Sequence, residues 1–474
     1  MPEEMPSTNQ TEVQSSQVEQ GNQKKRNSVP YILLALFLLI AVSGGAFAIK
    51  GHSSKNKGVN PDEGKQQGAQ RDSNPDHQQG ASVKAINSNT TDPEEKGRAL
   101  SGNMCAGTGS KTLTSAPLAA SDIGVIIPMG NMIGGHVTPI DHEYYFQKDP
   151  SAKRDTYAVM APADGNIVNI QHRGQFIGNA SDAPAGATDE YRLVISYSCT
   201  FFSYYDLVTS LDPSVSSLLP SDFATTGRMG SAPIPVKAGQ VIAHVGGQSL
   251  DFAVWDTTKP VTGLLNPVAF NNAEAWKIVT VPALNYWSDA VKATILPFYA
   301  RTAEPRDGKF DYDVNGTAIG DWFLAGSNGY FGSTDAQSSP KYYAGHLAIA
   351  PDSIDTKSFI FSIGSYNGGD ATQFAIVGNT PDPATITPQT GIVKYTLAGF
   401  DHILANGQKW TGSTPASGIT VKAGQSKAVV LVQLTDAQTM KVEVFPGMTT
   451  DKVTGFDAGA QTFNRGQDAK MVNP

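Results

Sequence analysis

Only two of the 474 residues are cysteine, Cys105 and Cys199, and neither stands in a Cys-x-x-Cys pair. A two-cysteine zinc or redox motif is therefore missing. No Gly-x-Ser-x-Gly, P-loop or dinucleotide fingerprint occurs either, so the common serine-hydrolase and nucleotide-binding signatures are absent. Lys and Arg total 35 against 43 Asp and Glu, a net charge of −8, and no basic stripe appears. A nucleic-acid partner is not expected from such a chain. Helical periodicity is missing until residue 283, and charge is missing altogether from Val29 to Ile49.

That uncharged run follows directly on Lys24-Lys25-Arg26. At about 1.5 Å per residue, 21 residues are just long enough to cross a bilayer core of roughly 30 Å as a helix. The basic flank predicts a cytoplasmic N-terminus, a single-pass anchor in the cell membrane, and extracytoplasmic main domains. A cleaved signal peptide is the competing reading, since Ala46-Phe47-Ala48 fits a small-x-small cleavage site. Either reading puts the folded part outside the cytoplasm. There, Cys105 and Cys199 are a candidate disulfide; two separate buried thiols are the alternative.

Composition divides the rest. Residues 1–28 and about 50–98 are polar, with almost no large apolar side chains to offset their ordering entropy. The expected layout is a cytoplasmic tail 1–28, a transmembrane anchor 29–49 and a disordered stalk 50–104. A first β domain 105–280, a linking helix 281–300, a second β domain 301–460 and a tail 461–474 follow. The predicted fold class is mostly β after the N-terminal transmembrane helix. Ile123–Ile127, Thr156–Met160, Gly165–Ile170, Arg192–Tyr197, Val241–Val245 and Phe252–Trp255 read as short strands between Gly, Pro, Asp or Asn. Ala283–Leu296 carries apolar residues at three- and four-residue spacing and reads as the linking helix. Beyond Asp311 the strand pattern resumes at intervals that suit an antiparallel barrel or sandwich. Gly320-Asp-Trp322 resembles the glycine–x–tryptophan feature that opens lipocalin-like barrels, although an ordinary strand tryptophan explains it as well. Asn89, Asn179 and Asn315 head glycosylation-type triplets, a weak pattern.

Two segments of the first domain are built alike. Ala161-Pro-Ala-Asp-Gly165 and Pro235-Val-Lys-Ala-Gly239 are turns, each leading into a strand. Over about residues 120–270 this pair resembles the biotinyl/lipoyl-like β-core of the LytM/M23 zinc endopeptidases, which cut peptide cross-links in bacterial cell walls. In that family a His and an Asp of one loop, with the second His of a His-x-His strand, hold zinc. The first His of that strand, and the His of a Tyr-x-His-Leu segment, assist catalysis.

The residues that carry this chemistry are changed here. Gly135-His136 to Asp141-His142 looks like the first loop, with one residue more between His and Asp. Ser249-Leu-Asp251-Phe stands where His-x-His-Phe is expected. Tyr204-Tyr-Asp206-Leu stands where Tyr-x-His-Leu is expected. The resemblance thus implies a one-imidazole, two-carboxylate metal set of His136, Asp141 and Asp251. Such a set favours a harder divalent ion, with Ca²⁺ or Mn²⁺ as the guesses. His136 and His142 with Asp141 turned away are a second set. A hydrogen-bonded turn of Thr138, Asp141 and His142 that binds no metal is a third reading.

Losing both non-ligand imidazoles is the heavier change. Ser249 and an ionised Asp206 cannot stabilise a developing oxyanion as His does. The expectation is an extracytoplasmic protein whose M23-like domain is inactive and binds or organises the cell envelope; a metal-dependent hydrolase of an envelope polymer is the alternative. Asp206, Ser249 and Tyr204 are the candidate groove, with Tyr144, Tyr145, Phe201, Phe202 and Tyr205 beside them. The membrane, wall glycan or peptide, or another envelope protein are the expected partners.

Overall fold

The computed structural model describes residues 90–172, 190–227, 229–271, 274–332 and 342–469. In chain order the strands of the first half are β1 (Ile123–Ile127), β2 (Glu143–Gln147), β3 (Tyr157–Met160), β4 (Gly165–His172), β5 (Tyr191–Ser198), β6 (Phe201–Val208), β7 (Ser210–Leu211), β8 (Ile234–Val236), β9 (Val241–Val245), β10 (Leu250–Asp256) and β11 (Thr280–Val281). An antiparallel sheet runs β1-β2-β10-β6-β5-β4-β8, with β11 also paired to β10. A small sheet, β3-β9-β7, lies over one face of it.

The period-2 alternation of a strand decides what each face carries. On β10, Leu250, Phe252 and Val254 enter a core with Val159, Ala243 and Val245 of the small sheet. Ala253 and Trp255 point the other way, into a cluster with Phe202, Tyr204 and Trp276. That second face is covered by the helix Pro93–Leu100, by Ala275–Val279, and by the disulfide Cys105–Cys199.

The covering helix corrects the expected disordered stalk 50–104 at residues 93–100 alone, since residues 50–89 lie outside the described residues. Asp92 caps its first turn by accepting from the Glu94 amide, Pro93 opens it, and Leu100 and Gly97 are buried. A Cβ on Gly97 would lie 1.6 Å from the Cys199 carbonyl oxygen, so only glycine lets the helix approach this closely. One buried turn suffices where tertiary packing, not propensity, holds a short helix.

The fold class is corrected at its N-terminus: no helix among the described residues is long and apolar enough to cross a membrane. The expected anchor, residues 29–49, lies outside the described residues, as do Asn89 and Asn179. The expected linking helix over 281–300 is also broken. Thr280–Val281 is strand, and only Asp289–Ile295 is α-helical, entered from the Ser288 cap and left at Pro297. Proline supplies no amide proton and blocks the preceding turn.

The second half is a closed barrel of β12 (Gly320–Leu324), β13 (His346–Pro351), β14 (Phe359–Ile363), β15 (Thr372–Ile376), β16 (Val393–Ile403), β17 (Thr420–Leu434), β18 (Thr439–Pro446) and β19 (Gln461–Asn464). Trp322, Leu347, Phe361, Phe374, Tyr395, Val430, Val442 and Phe463 fill its interior, as an eight-stranded barrel permits. Arg465 closes one end. Its guanidinium lies 3.6 Å from the Trp322 ring centre and donates to the carbonyls of Thr317, Ile319 and Asp321 and to Asp313. Gly320 has φ +107°, and a Cβ there would sit 2.2 Å from Asp313 Oδ1. That close approach accounts for the glycine two residues before the tryptophan.

The β16–β17 hairpin extends past the barrel, and Leu404, Trp410 and Ile419 pack on Val125, Ile127 and Tyr144 of the first half. His402 at its base meets both Asp352 oxygens, at 3.0 and 3.1 Å. Burial disfavours the charged imidazole, but Asp352 outweighs it and raises the His402 pKa above 6.5. Asp352 is held below 3.8 against its own burial, chiefly by His402. Stability from His402 is therefore complete below pH 6.5 and lost as pH rises through the folded value. Stability from Asp352 is present above its unfolded pKa and lost in acid. Urea midpoints at pH 5 and pH 8.5, about one and a half to two units either side of the free imidazole pKa, should fall further for the native chain than for His402→Gln, which keeps the part of the fall that His142 causes. Equal falls in both would refute the assignment.

Candidate functional site

Strand register brings the substituted positions together. Asp251 on β10 is opposite Asp206 on β6 and opposite Tyr144 on β2. The loop between β1 and β2 adds His136, Asp141 and His142. Its tip is held by the barrel: the Gly134 amide donates to Gln373 Oε1 and Gln373 Nε2 donates back to the Gly134 carbonyl, both at 3.1 Å. Met132, four residues before His136, sits in a cluster with Ala348, Ala350 and Ala375 on the barrel's outer face.

His142 is the centre of the constellation. Its Nδ1 is 3.4 Å from Asp141 Oδ1, and its Nε2 is 3.2 Å from Asp251 Oδ2, an ion-pair contact whose angles fall outside hydrogen-bond geometry. Burial disfavours the imidazolium, yet Asp251 and Asp141 together raise its pKa to about 10. Burial likewise works against the Asp141 carboxylate, and Lys277 and His142 overcome it, bringing the pKa to about 2. Asp141 also accepts from the Thr280 hydroxyl at 3.2 Å, and Lys277 Nζ is 3.9 Å away. Asp251 differs from its neighbour. It has His142 as its cation, faces Asp206, and keeps Oδ1 buried without a hydrogen bond, so burial prevails and its pKa rises.

Asp206 has a cation of its own. Arg192 on β5 gives it two contacts, Nη2 at 2.8 Å and Nε at 3.1 Å, and the Tyr204 hydroxyl donates at 2.9 Å. Burial disfavours the guanidinium charge, but Asp206 more than compensates and raises the Arg192 pKa. Arg192 also stacks on Trp276, 4.8 Å from its ring centre. Trp276 in turn lies on Trp255 and Tyr204, with ring centres 5.6 and 5.9 Å apart. The segment bearing Trp276 and Lys277 thus lies across the sheet face where the sequence placed a groove. Tyr204 and Phe202 pack with Trp276, Ser249 and Asp206 are buried, Tyr144 packs in a third cluster, and Tyr145, Phe201 and Tyr205 are buried in the core on the opposite face. Their aromatic faces are spent on core packing, so none is offered to an outside ligand.

The metal set His136, Asp141 and Asp251 is tested by this geometry. His136 is half-buried, its ring centre 6.0 Å from that of His142. Among the described residues no three His, Cys, Asp or Glu side chains are placed to hold one ion. Each Asp141 oxygen already faces a donor, His142 or Thr280, and the His142 ring lies between the Asp141 and Asp251 carboxylates. The donors as arranged do not fit a resident metal. Sequence reasoning missed Arg192 and Lys277. The signal was present: each is a lone cation within an apolar run, Tyr-Arg-Leu-Val-Ile and Ala-Trp-Lys-Ile-Val, where burial demands a carboxylate partner.

No known family profile and no curated protein matches the chain. Among solved structures it is similar to Csd3 of Helicobacter pylori, at 16% identity over 32% of this chain and 34% of that one, with a TM-score of 0.20. A zinc-containing peptidase from Vibrio cholerae gives 16% identity over 32% of this chain and 40% of that one, TM-score 0.20. Lysostaphin in solution gives 12% identity over 75% and 92%, TM-score 0.21. The chain spans about a third of Csd3 and 40% of the Vibrio peptidase. Likeness at that level does not make it a member of their family.

Proposed function

We propose that the first β domain is a non-catalytic module acting in binding to, or organisation of, the cell envelope. Its scaffold resembles the M23 β-core, with the metal and proton-transfer groups replaced by internal ion pairs. One observation carries the reading: the carboxylates of the constellation are neutralised by the chain itself. His142 stands between Asp141 and Asp251, and Arg192 is seated on Asp206. A catalytic metal needs free ligand lone pairs and an open coordination position. Here Asp141 accepts from Thr280 and lies against His142, Asp206 is held by Arg192 and Tyr204, and Trp276 covers the sheet face. Buried ion pairs of this kind add little net stability over apolar packing, but breaking one is costly, so they hold one arrangement.

The disulfide suits an oxidising, extracytoplasmic compartment. Wall glycan, wall peptide or another envelope protein would then meet the module's outer surfaces. Metal analysis of the purified full chain, with turnover of wall peptides measured with and without chelator, tests the proposal. The expected result is no stoichiometric metal and no cleavage. Tightly held zinc with chelator-sensitive cleavage would overturn it in favour of a hydrolase using His136, Asp141 and Asp251.

A further inference from the structure

Four asparagines are followed directly by glycine: Asn315, Asn328, Asn367 and Asn406. In such a pair the glycine nitrogen can reach the carbonyl carbon of the asparagine side chain with no Cβ in its way. Whether it does depends on what else holds the two groups. Three of the pairs are held. The Gly316 amide donates to the Ala437 carbonyl at 3.2 Å, and Asn315 Oδ1 accepts from Gln438 Nε2. The Gly407 amide donates to the Leu404 carbonyl at 2.8 Å, while the Asn406 side chain accepts from the Gln408 amide and donates to its side chain. Gly329 is buried, and a Cβ on it would lie 2.8 Å from the Ala269 carbonyl oxygen, so the Asn328 pair has no room to react.

Asn367 differs from all three. It lies in the connection between β14 and β15, with φ +52° at Asn367 and +72° at Gly368. The Gly369 amide donates to the Tyr366 carbonyl at 2.9 Å, which makes this a type I′ turn, the turn that selects Asn-Gly. Both residues are exposed. Among the described residues, neither the Asn367 side chain nor the Gly368 amide has a hydrogen-bond partner. Among them, too, nothing lies within 4 Å of the place a Gly368 Cβ would take.

We infer that Asn367-Gly368 is a modification site at which solvent converts the asparagine amide to a carboxylate. The Gly368 nitrogen gives its proton to solvent base and bonds to Asn367 Cγ. The Cγ–Nδ2 bond breaks, and the departing nitrogen takes a proton from solvent and leaves as ammonia. A succinimide ring remains. Water adds at one of its two carbonyls and opens it to aspartate or isoaspartate. The sum is amide plus water giving acid plus ammonia, with no change of oxidation state. The new carboxylate stands near Asp370 in sequence and makes a chain of net charge −8 more negative. Isoaspartate also puts an extra methylene into the backbone, which a two-residue turn cannot absorb unchanged. The hairpin closed by this turn carries Gln373, the clasp on Gly134, so the change falls on the element that holds the His136 loop. None of this depends on the proposed function, and cleavage of wall peptides would leave it standing.

The test is peptide mapping by mass spectrometry of the full chain held in mildly alkaline buffer, beside the same chain in urea. In urea the four pairs should convert at similar rates, because local sequence alone then acts. In the folded chain Asn367 should convert first, and each held pair should lag by roughly fivefold for every hydrogen bond that must open. If Asn367 keeps its amide while the urea sample converts, the assignment is overturned. Conversion of Asn315, Asn328 or Asn406 as fast as Asn367 in the folded chain would overturn it equally.

Discussion

Replacing Cys105 and Cys199 together by alanine should lower the free energy of unfolding by about 4–5 kcal/mol, the loop-entropy figure for a closed segment near 100 residues. The two cysteines are 94 residues apart in sequence, which makes the closed loop long. The bond ties the polar N-terminal strap to the end of β5, beneath the helix that covers the sheet. The effect should also be unequal across the molecule. The helix Pro93–Leu100 and the Phe202–Trp255–Trp276 cluster should loosen first, since they pack directly on the bridge, whereas the strap beyond it is also held by backbone bonds between Gly107 and Cys199 and between Leu113 and Tyr286. Denaturant midpoints and near-ultraviolet circular dichroism of the stacked tryptophans read both. A loss below about 1 kcal/mol, under the usual 2–5 kcal/mol for a native disulfide, would show that the strap docks without its staple.

Arg192→Met should cost about 3–5 kcal/mol, the usual penalty for stranding one member of a buried ion pair. Asp206 is 1% exposed and would keep its tyrosine and backbone donors but lose its cation. The double variant Arg192→Met/Asp206→Leu should recover most of that loss, because apolar groups of similar volume remove the desolvation penalty with the charge. The cycle is read from urea unfolding of the four proteins. If the double variant is as unstable as the single, Arg192 acts through its stack on Trp276 and the ion pair is incidental. The outcome bears on function as well. A site held only by internal charge compensation should tolerate the apolar replacement.

Much of this was legible in the residues. Short β-type runs between turn residues located most strands, because a pleated, half-buried surface selects Val, Ile, Tyr and Phe. Matching Ser249-Leu-Asp251 and Tyr204-Tyr-Asp206 to two motif segments implied that they are neighbours, and Asp251 and Asp206 are indeed opposite each other. The helix at 93–100 was not legible. Its burial depends on Cys199 and Phe202, about a hundred residues away, and its own composition is polar. The linking helix failed for a related reason. Its apolar spacing was genuine, but Pro282, Pro297 and the pairing of Thr280–Val281 with β10 divide it.

The chain's own order of residues put Ser249, Asp251 and Asp206 where the motifs it resembles carry three imidazoles, and it left two cysteines able to pair. It also determined that a tryptophan two residues after a glycine opens the second half. Tertiary structure alone decided what replaced the lost groups. Only folding brings His142 between Asp141 and Asp251, seats Arg192 on Asp206, and sets Lys277 near Asp141. The reason is physical. Residue types fix which charges exist, but a charge removed from water takes whichever partner packing places within a few ångströms, and that choice is made by distant strands.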